Sequence, residues 1–309
     1  MNRFACRQIL TIATMMLAVS ATSEGQGAAA TADVTIPSGA NFDKANFRLW
    51  IPPGLANVKA VLVLNPGSNG DGRNAVTDTV WQKFATEQSL ALVATQLTDK
   101  PHEQNFIESY VDVSKGSGQA LLDALNQFAA SSKHAELATA PLLLWGMSAG
   151  GQFNYEFTAW KPERVMAFVV NKGGIYYSAL VSNAARNVPG ILFVGGKDLE
   201  FRTNTIVGLF AVNRRAGALW ALAEEPSAGH IVGRSRDVAL AFYADVLALR
   251  GPSMKALTES SGYLGDLKAR TFAPLGDGKV PGYPTAWMPT ERVAKWWQAM
   301  VTEQPVSKE

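Results

Sequence analysis

The feature that most narrows the fold is a rhythm that begins near residue 45. Seven short apolar runs read as strands: "FRLWI" (47–51), "AVLVL" (60–64), "LALVA" (90–94), "PLLLW" (141–145), "MAFVV" (166–170), "GILFV" (190–194) and "LWALA" (219–223). Between and after them come stretches of helical periodicity at 74–88, 118–132, 150–160, 203–217 and 236–250. Most of the strand runs are continuously apolar rather than alternating, which is how a strand covered on both faces reads. Strand–helix alternation at this spacing predicts an α/β fold: a doubly wound, mostly parallel sheet flanked by helices. Past Arg250 the rhythm breaks. Residues 251–284 are rich in Gly and Pro with weak periodicity, and "PTERVAKWWQAM" (289–300) reads as a short closing helix capped by Thr290, with Glu291 in its first turn. Residues 22–250 are therefore expected to form the main domain, and 251–309 an irregular appendage packed on it.

The N-terminus reads differently. Arg3 and Arg7 precede "ILTIATMMLAV", and the small residues of "SATSEGQGAAA" follow, the pattern of a secretory signal peptide. The apolar run is too short to span a bilayer. Cleavage is expected after Ala21, leaving an exported, periplasmic or secreted, chain with no membrane anchor. Removing Arg3 and Arg7 from 28 basic residues leaves as many as the 26 acidic ones, a neutral mature chain. Nucleic acid and anionic membrane both require a basic field, so neither is the expected partner. The single cysteine, Cys6, lies in the leader, so the mature protein is expected to hold together without disulfides. With no mature cysteine and no His, Asp or Glu cluster at ligand spacing, no metal is expected either.

Within "PLLLWGMSAGGQFNYEF" (141–157) one serine, Ser148, stands between Gly146 and Gly150 where an apolar strand gives way to a helix. G-x-S-x-G is common by chance, and glycines here can simply let a helix pack closely on a sheet. After a buried strand and at a helix start, the pattern fits a strained turn that exposes a nucleophilic serine. Such a serine needs a base, an acid to orient the base, and N–H donors for the oxyanion. The chain has three histidines. His102, in a polar loop, and His134, at a helix end, read as surface residues. His230 follows the last strand run, in a loop that opens at the carboxyl edge of the sheet, where Ser148 also sits. Asp198 follows "GILFV" after two glycines and is the expected acid, with Glu200 as its rival. Glu224 and Glu225 are expected to be ion-paired neighbours. The loop "NPGSNGDG" (65–72) after an early strand is expected to supply the Ser68 N–H, or that of Asn69 beside it, as an oxyanion donor with Ala149. It lacks both the lysine and the spacing of a nucleotide-binding loop, so no nucleotide cofactor is expected.

With these residues assembled, the chain over about 45–250 resembles the α/β-hydrolase superfamily, in which nucleophile, acid and histidine follow successive strands in the order Ser148, Asp198, His230. "LNPGSNGDGR", "WGMSAGGQF" and "GGKD…AGH" are most similar to secreted polyhydroxybutyrate-depolymerase-like and feruloyl-esterase-like hydrolases. Those carry histidine-glycine-cysteine where this chain has Pro66-Gly67-Ser68. The resemblance implies cofactor-free hydrolysis of a small or polymeric carboxylic ester. Amide or peptide cleavage on the same triad, and a binding protein that keeps the fold without turnover, are the alternative readings. Trp287, Trp296 and Trp297 are expected to pack on the core, with stacking on a substrate as the other possibility.

Overall fold

The computed structural model describes residues 30–103, 107–275 and 284–306. The expected leader (1–21), with Cys6, lies outside these residues. Eight strands form one sheet: β1 (Ala30–Ile36), β2 (Lys44–Ile51), β3 (Ala60–Asn65), β4 (Leu90–Thr98), β5 (Leu142–Gly146), β6 (Val165–Asn171), β7 (Gly190–Gly195) and β8 (Trp220–Glu225). Their order is β1-β2-β4-β3-β5-β6-β7-β8. The pairs β1/β2 and β2/β4 are antiparallel, and every pair from β4 onward is parallel. The seven expected strand runs all lie in this sheet. The edge strand β1 was not expected. It alternates, with only Val34 and Ile36 as bulky apolar residues, because it covers one face and leaves the other to solvent.

Continuous apolar runs arise because each central strand feeds two cores. In β3, Val61 and Val63 point to one face of the sheet, Ala60, Leu62 and Leu64 to the other; in β5, Leu142 and Leu144 oppose Leu143 and Trp145. Helices α2 (Ser117–Ser131), α3 (Ala149–Trp160), the short α4 (Asn183–Arg186) and α5 (Glu200–Arg215) cover the first face. Helices α1 (Thr79–Gln88), α6 (Ser235–Arg250) and α7 (Glu291–Val301) cover the second. Among the described residues no helix is long and apolar enough to cross a membrane.

The appendage is better ordered than its Gly/Pro content suggests. Strands β9 (Tyr263–Asp266), β10 (Thr271–Pro274) and β11 (Thr285–Met288) form a small antiparallel sheet in the order β10-β9-β11. Helix α7 is capped by Thr290, whose hydroxyl accepts the Val293 N–H. Trp287 and Trp297 are fully buried, and Trp296 packs at the edge of the second core. The Trp297 indole donates to Leu222 O in β8 at 2.7 Å. Gly265 in β9 lies flat under the Trp297 ring, where a Cβ would come within 2.7 Å.

Candidate active site

All six parallel strands from β4 to β8 and β3 end on one edge of the sheet. Chain order reverses between β3 and β5, so the loops that follow these two neighbours flank a crevice, the place where open α/β sheets bind ligands. Ser148 follows β5 at that reversal. Its φ of 54° and ψ of −122° lie in a region that L-residues rarely occupy, at a cost of order 1–3 kcal/mol. Neighbours hold it there. The Met147 N–H donates to Asn65 O at the end of β3, and the Ser148 N–H to Asn171 O at the end of β6 (2.8 Å).

The flanking glycines have a steric reason. A Cβ on Gly146 would lie 2.2 Å from the Gly150 carbonyl, and one on Gly150 would lie 2.4 Å from the Asn65 and Pro66 oxygens. The turn and the close packing are thus one device: helix α3 starts tight against the ends of β3 and β5, aiming its positive N-terminus at the Ser148 side chain. Beneath it a buried amide network ties the strands together. Asn65 donates to Asn154 (2.7 Å) and accepts from Thr95 (2.7 Å), while Asn154 donates to Val169 O (2.9 Å).

Asp198 and His230 meet. His230 Nδ1 lies 2.8 Å from Asp198 Oδ2, while the other carboxylate oxygen accepts from the Leu199 N–H (2.7 Å) and from Arg202 (3.2 Å). The Asp198 side chain is only 2% exposed. Burial pushes its carboxyl up, but the bonds from His230, Leu199 and Arg202 outweigh burial and leave it below the ordinary carboxylate range. Acceptance at Oδ2 fixes the neutral imidazole with its proton on Nδ1 and Nε2 available as a base. The rival Glu200 is exposed in the first turn of α5 and, among the described residues, accepts only from Asn204 (3.4 Å). His102 is exposed and pairs with Asp99 (3.2 Å); His134 is half-buried and pairs with Glu136 (2.8 Å). Neither touches Ser148 or Asp198.

The loop after β3 reaches the serine. A Cβ on Gly67 would stand 3.7 Å from the Ser148 Cβ. Among the described residues the Ser68 and Ala149 N–H groups have no protein acceptor, whereas the Asn69 N–H donates to the Tyr110 hydroxyl at 3.3 Å. Burial pushes the Tyr110 phenol well above its usual range, so it stays a neutral acceptor. Asn69, at φ 54°, also takes the Asp99 N–H on its side-chain oxygen (2.7 Å). Of the two expected loop donors, Ser68 lines the cavity beside Ser148, while Asn69 holds the loop.

Sequence reading missed Lys172. It follows β6 at φ 56°, is wholly buried, and donates to Glu225 Oε2 (3.2 Å) and to Ile231 O (2.8 Å). Glu225 Oε1 accepts the Arg234 N–H at 2.9 Å. The ion pair thus grips the His230 loop one residue and four residues beyond the histidine. Burial pulls the Lys172 ammonium below its ordinary range, opposed by the Glu225 charge. The Lys172–Glu225 contact joins residues 53 positions apart, so it leaves no local signal in the sequence. Glu225 was expected to be ion-paired; Glu224 lies 4.0 Å from Arg270.

A cavity of about 320 Å³ opens beside the serine, lined by Ser68, Glu108, Ser148, Gln152, Gly174, Phe201 and Arg202. A larger hollow of about 400 Å³, between α1, α6 and α7, includes none of the site residues. Among the described residues, Ile107, Tyr177, Leu199, Phe201 and Ile231, which line the cavity or adjoin Glu108, Asp198 or His230, are large apolar side chains left exposed. Among the described residues no group of three or more His, Cys, Asp and Glu is placed to hold a metal ion.

Among solved structures, the chain is similar to a ferulic acid esterase, with a TM-score of 0.51 over 69% of this chain and 95% of that one, at 11% identity. It is similar to a poly(3-hydroxybutyrate) depolymerase from Bordetella parapertussis at a TM-score of 0.51, over 72% of this chain and 90% of that one, at 16% identity. The chain has the α/β-hydrolase fold. No family model and no curated protein matches it. Within the α/β-hydrolase sheet, then, Ser148 follows the fifth strand, Asp198 the seventh and His230 the eighth.

Proposed function

We propose that this α/β hydrolase is an exported serine esterase. The observation that supports it best is a strained, glycine-flanked Ser148 on the same sheet edge as the hydrogen-bonded Asp198–His230 couple. In this reading Ser148 Oγ attacks the ester carbonyl carbon while His230 Nε2 takes its proton. Asp198 holds the imidazole by its Nδ1–H and stabilises the imidazolium that forms. The carbonyl oxygen, now negative, receives the Ala149 and Ser68 N–H groups at the positive end of α3. Collapse of the tetrahedral intermediate expels the alcohol, which takes the proton from His230. Water then enters, His230 again acts as base, and the acid leaves Ser148 free.

The apolar collar supports an ester with a hydrocarbon portion, since exposed apolar patches of this kind accommodate apolar ligands. Export rests on the N-terminal pattern of Arg3, Arg7 and the apolar run that follows. The test is active-site labelling. A fluorophosphonate should modify wild type stoichiometrically at Ser148, and loss of labelling should parallel loss of p-nitrophenyl butyrate turnover. Labelling at another serine, or full turnover by Ser148→Ala, would overturn the assignment.

A further inference from the structure

The cavity beside Ser148 contains a charge that ester hydrolysis by itself does not use. Glu108, in the segment between β4 and α2, is 6% exposed and lines this cavity. One of its carboxylate oxygens accepts from Gln152 Nε2 at 3.3 Å; the same amide takes the Gly174 N–H on its oxygen at 2.8 Å. Among the described residues no basic side chain forms an ion pair with Glu108. The guanidinium that shares the cavity, Arg202, donates to Asp198. Two aromatic side chains stand nearby. Tyr177 donates its hydroxyl to the Glu108 main-chain oxygen (3.3 Å), and its own N–H is held by Glu156 (2.7 Å). Phe201 lines the cavity, is 41% exposed, and carries the Arg202 guanidinium over its ring at 5.2 Å.

A buried carboxylate satisfied by one neutral amide is costly unless a cation completes it. Its position adds a second penalty. Negative charge near the N-terminus of α3 opposes the oxyanion that the site is built to stabilise. Both penalties are relieved when the ligand itself carries a positive charge. We propose that this cavity binds an alkylammonium group, so that the preferred esters carry a cation on the portion lodged beside Ser148. The substrate assignment rests on the esterase reading above; the cation site does not.

Two measurements separate the two. Tetramethylammonium binding to the full chain, read by calorimetry against potassium at equal ionic strength, addresses the site alone. It should bind wild type and lose about tenfold or more in affinity in Glu108→Gln. Turnover addresses the substrate: kcat/KM for p-nitrophenyl 4-(trimethylammonio)butanoate should exceed that for its uncharged isostere, p-nitrophenyl 5,5-dimethylhexanoate, by about tenfold or more. Glu108→Gln should bring that ratio close to one, whatever it does to the absolute rates. Absence of tetramethylammonium binding to wild type, or a ratio near one while both esters are cleaved, overturns the proposal. So does a preference for p-nitrophenyl monosuccinate, which would assign the cavity to Arg202 and an anion. Binding without turnover of any ester would instead remove the esterase reading and leave the cation site standing.

Discussion

At Ser148 the backbone, not the side chain, is the unusual element. Ser148→Ala removes one hydroxyl from a turn held by Asn65, Asn171 and two glycines, so it should fold normally and lose about 10⁴-fold or more in turnover. Asp198→Asn should cost a similar factor by favouring the wrong histidine tautomer; a crippled Glu200→Gln beside an active Asp198→Asn would reverse the choice of acid. Asp198 also links pH to stability. Its carboxyl sits lower in the folded chain than the roughly 3.9 of an unfolded aspartate. It therefore favours the folded state above about pH 4, and that contribution disappears as pH falls through the folded value. Melting temperatures measured between pH 5 and 2 should fall more steeply for wild type than for Asp198→Asn. Lys172→Met tests a different dependence. It strands the Glu225 carboxylate in a buried site, expected to cost about 3–5 kcal/mol, whereas Lys172→Met with Glu225→Gln should recover part of that loss. Equal denaturation midpoints for the two variants would show that the pair does not act as a unit.

Among the elements, α3 and the loop after β3 depend on one another most closely. Their contact at Gly150 leaves no room for a methyl group, because the obstructing atoms are main-chain oxygens rather than a side chain that could turn away. Gly150→Ala should destabilise the protein by roughly 1–3 kcal/mol. It should also lower kcat by pushing the Pro66–Ser68 backbone off the serine. Unchanged kcat at a lowered melting temperature would mean that this loop gives no donor to the reaction. The loop after β8 is similarly constrained. Gly196 meets Pro226 O at a distance where a Cβ would come within 2.4 Å, and the Lys197 N–H donates to Ala228 O at 2.9 Å, so the Asp198 and His230 loops are laced together.

Across the whole molecule, the C-terminal segment fastens the base-bearing loop. Glu303 accepts the Ser227 N–H at 2.8 Å, and Arg234 donates to Ala299 O (3.0 Å) and Gln304 O (3.1 Å). These bonds clamp the loop on both sides of His230. Arg214 reaches from α5 to Thr285 O in β11 (2.9 Å) and pairs with Glu259. Truncation before Gly251 should therefore lower the melting temperature and kcat together, and Trp297→Ala alone should cost about 3–5 kcal/mol. A truncated chain that melts and turns over like wild type would make the segment a passive tail.

Periodicity makes the strands and main helices legible in the sequence, since burial on two faces imposes continuous apolar runs and burial on one imposes a helical period. Parallel strands end on one edge, so the positions of Ser148, Asp198 and His230 after their strands put all three on that edge. Strand β1 escaped because an edge strand buries too little to mark its sequence. The small sheet of β9, β10 and β11 escaped because its four-residue strands take their partners and their cover, the Trp297 ring, from the folded whole. Tertiary structure alone decided that Lys172 would meet Glu225 beneath the histidine and that Asn69 would spend its N–H on Tyr110. It also set Glu108 in the nucleophile's cavity with no ion pair among the described residues. Each of these is a contact between residues dozens of positions apart. Local sequence records the requirements of an element's own backbone and faces, and carries no trace of which distant group will complete a buried charge.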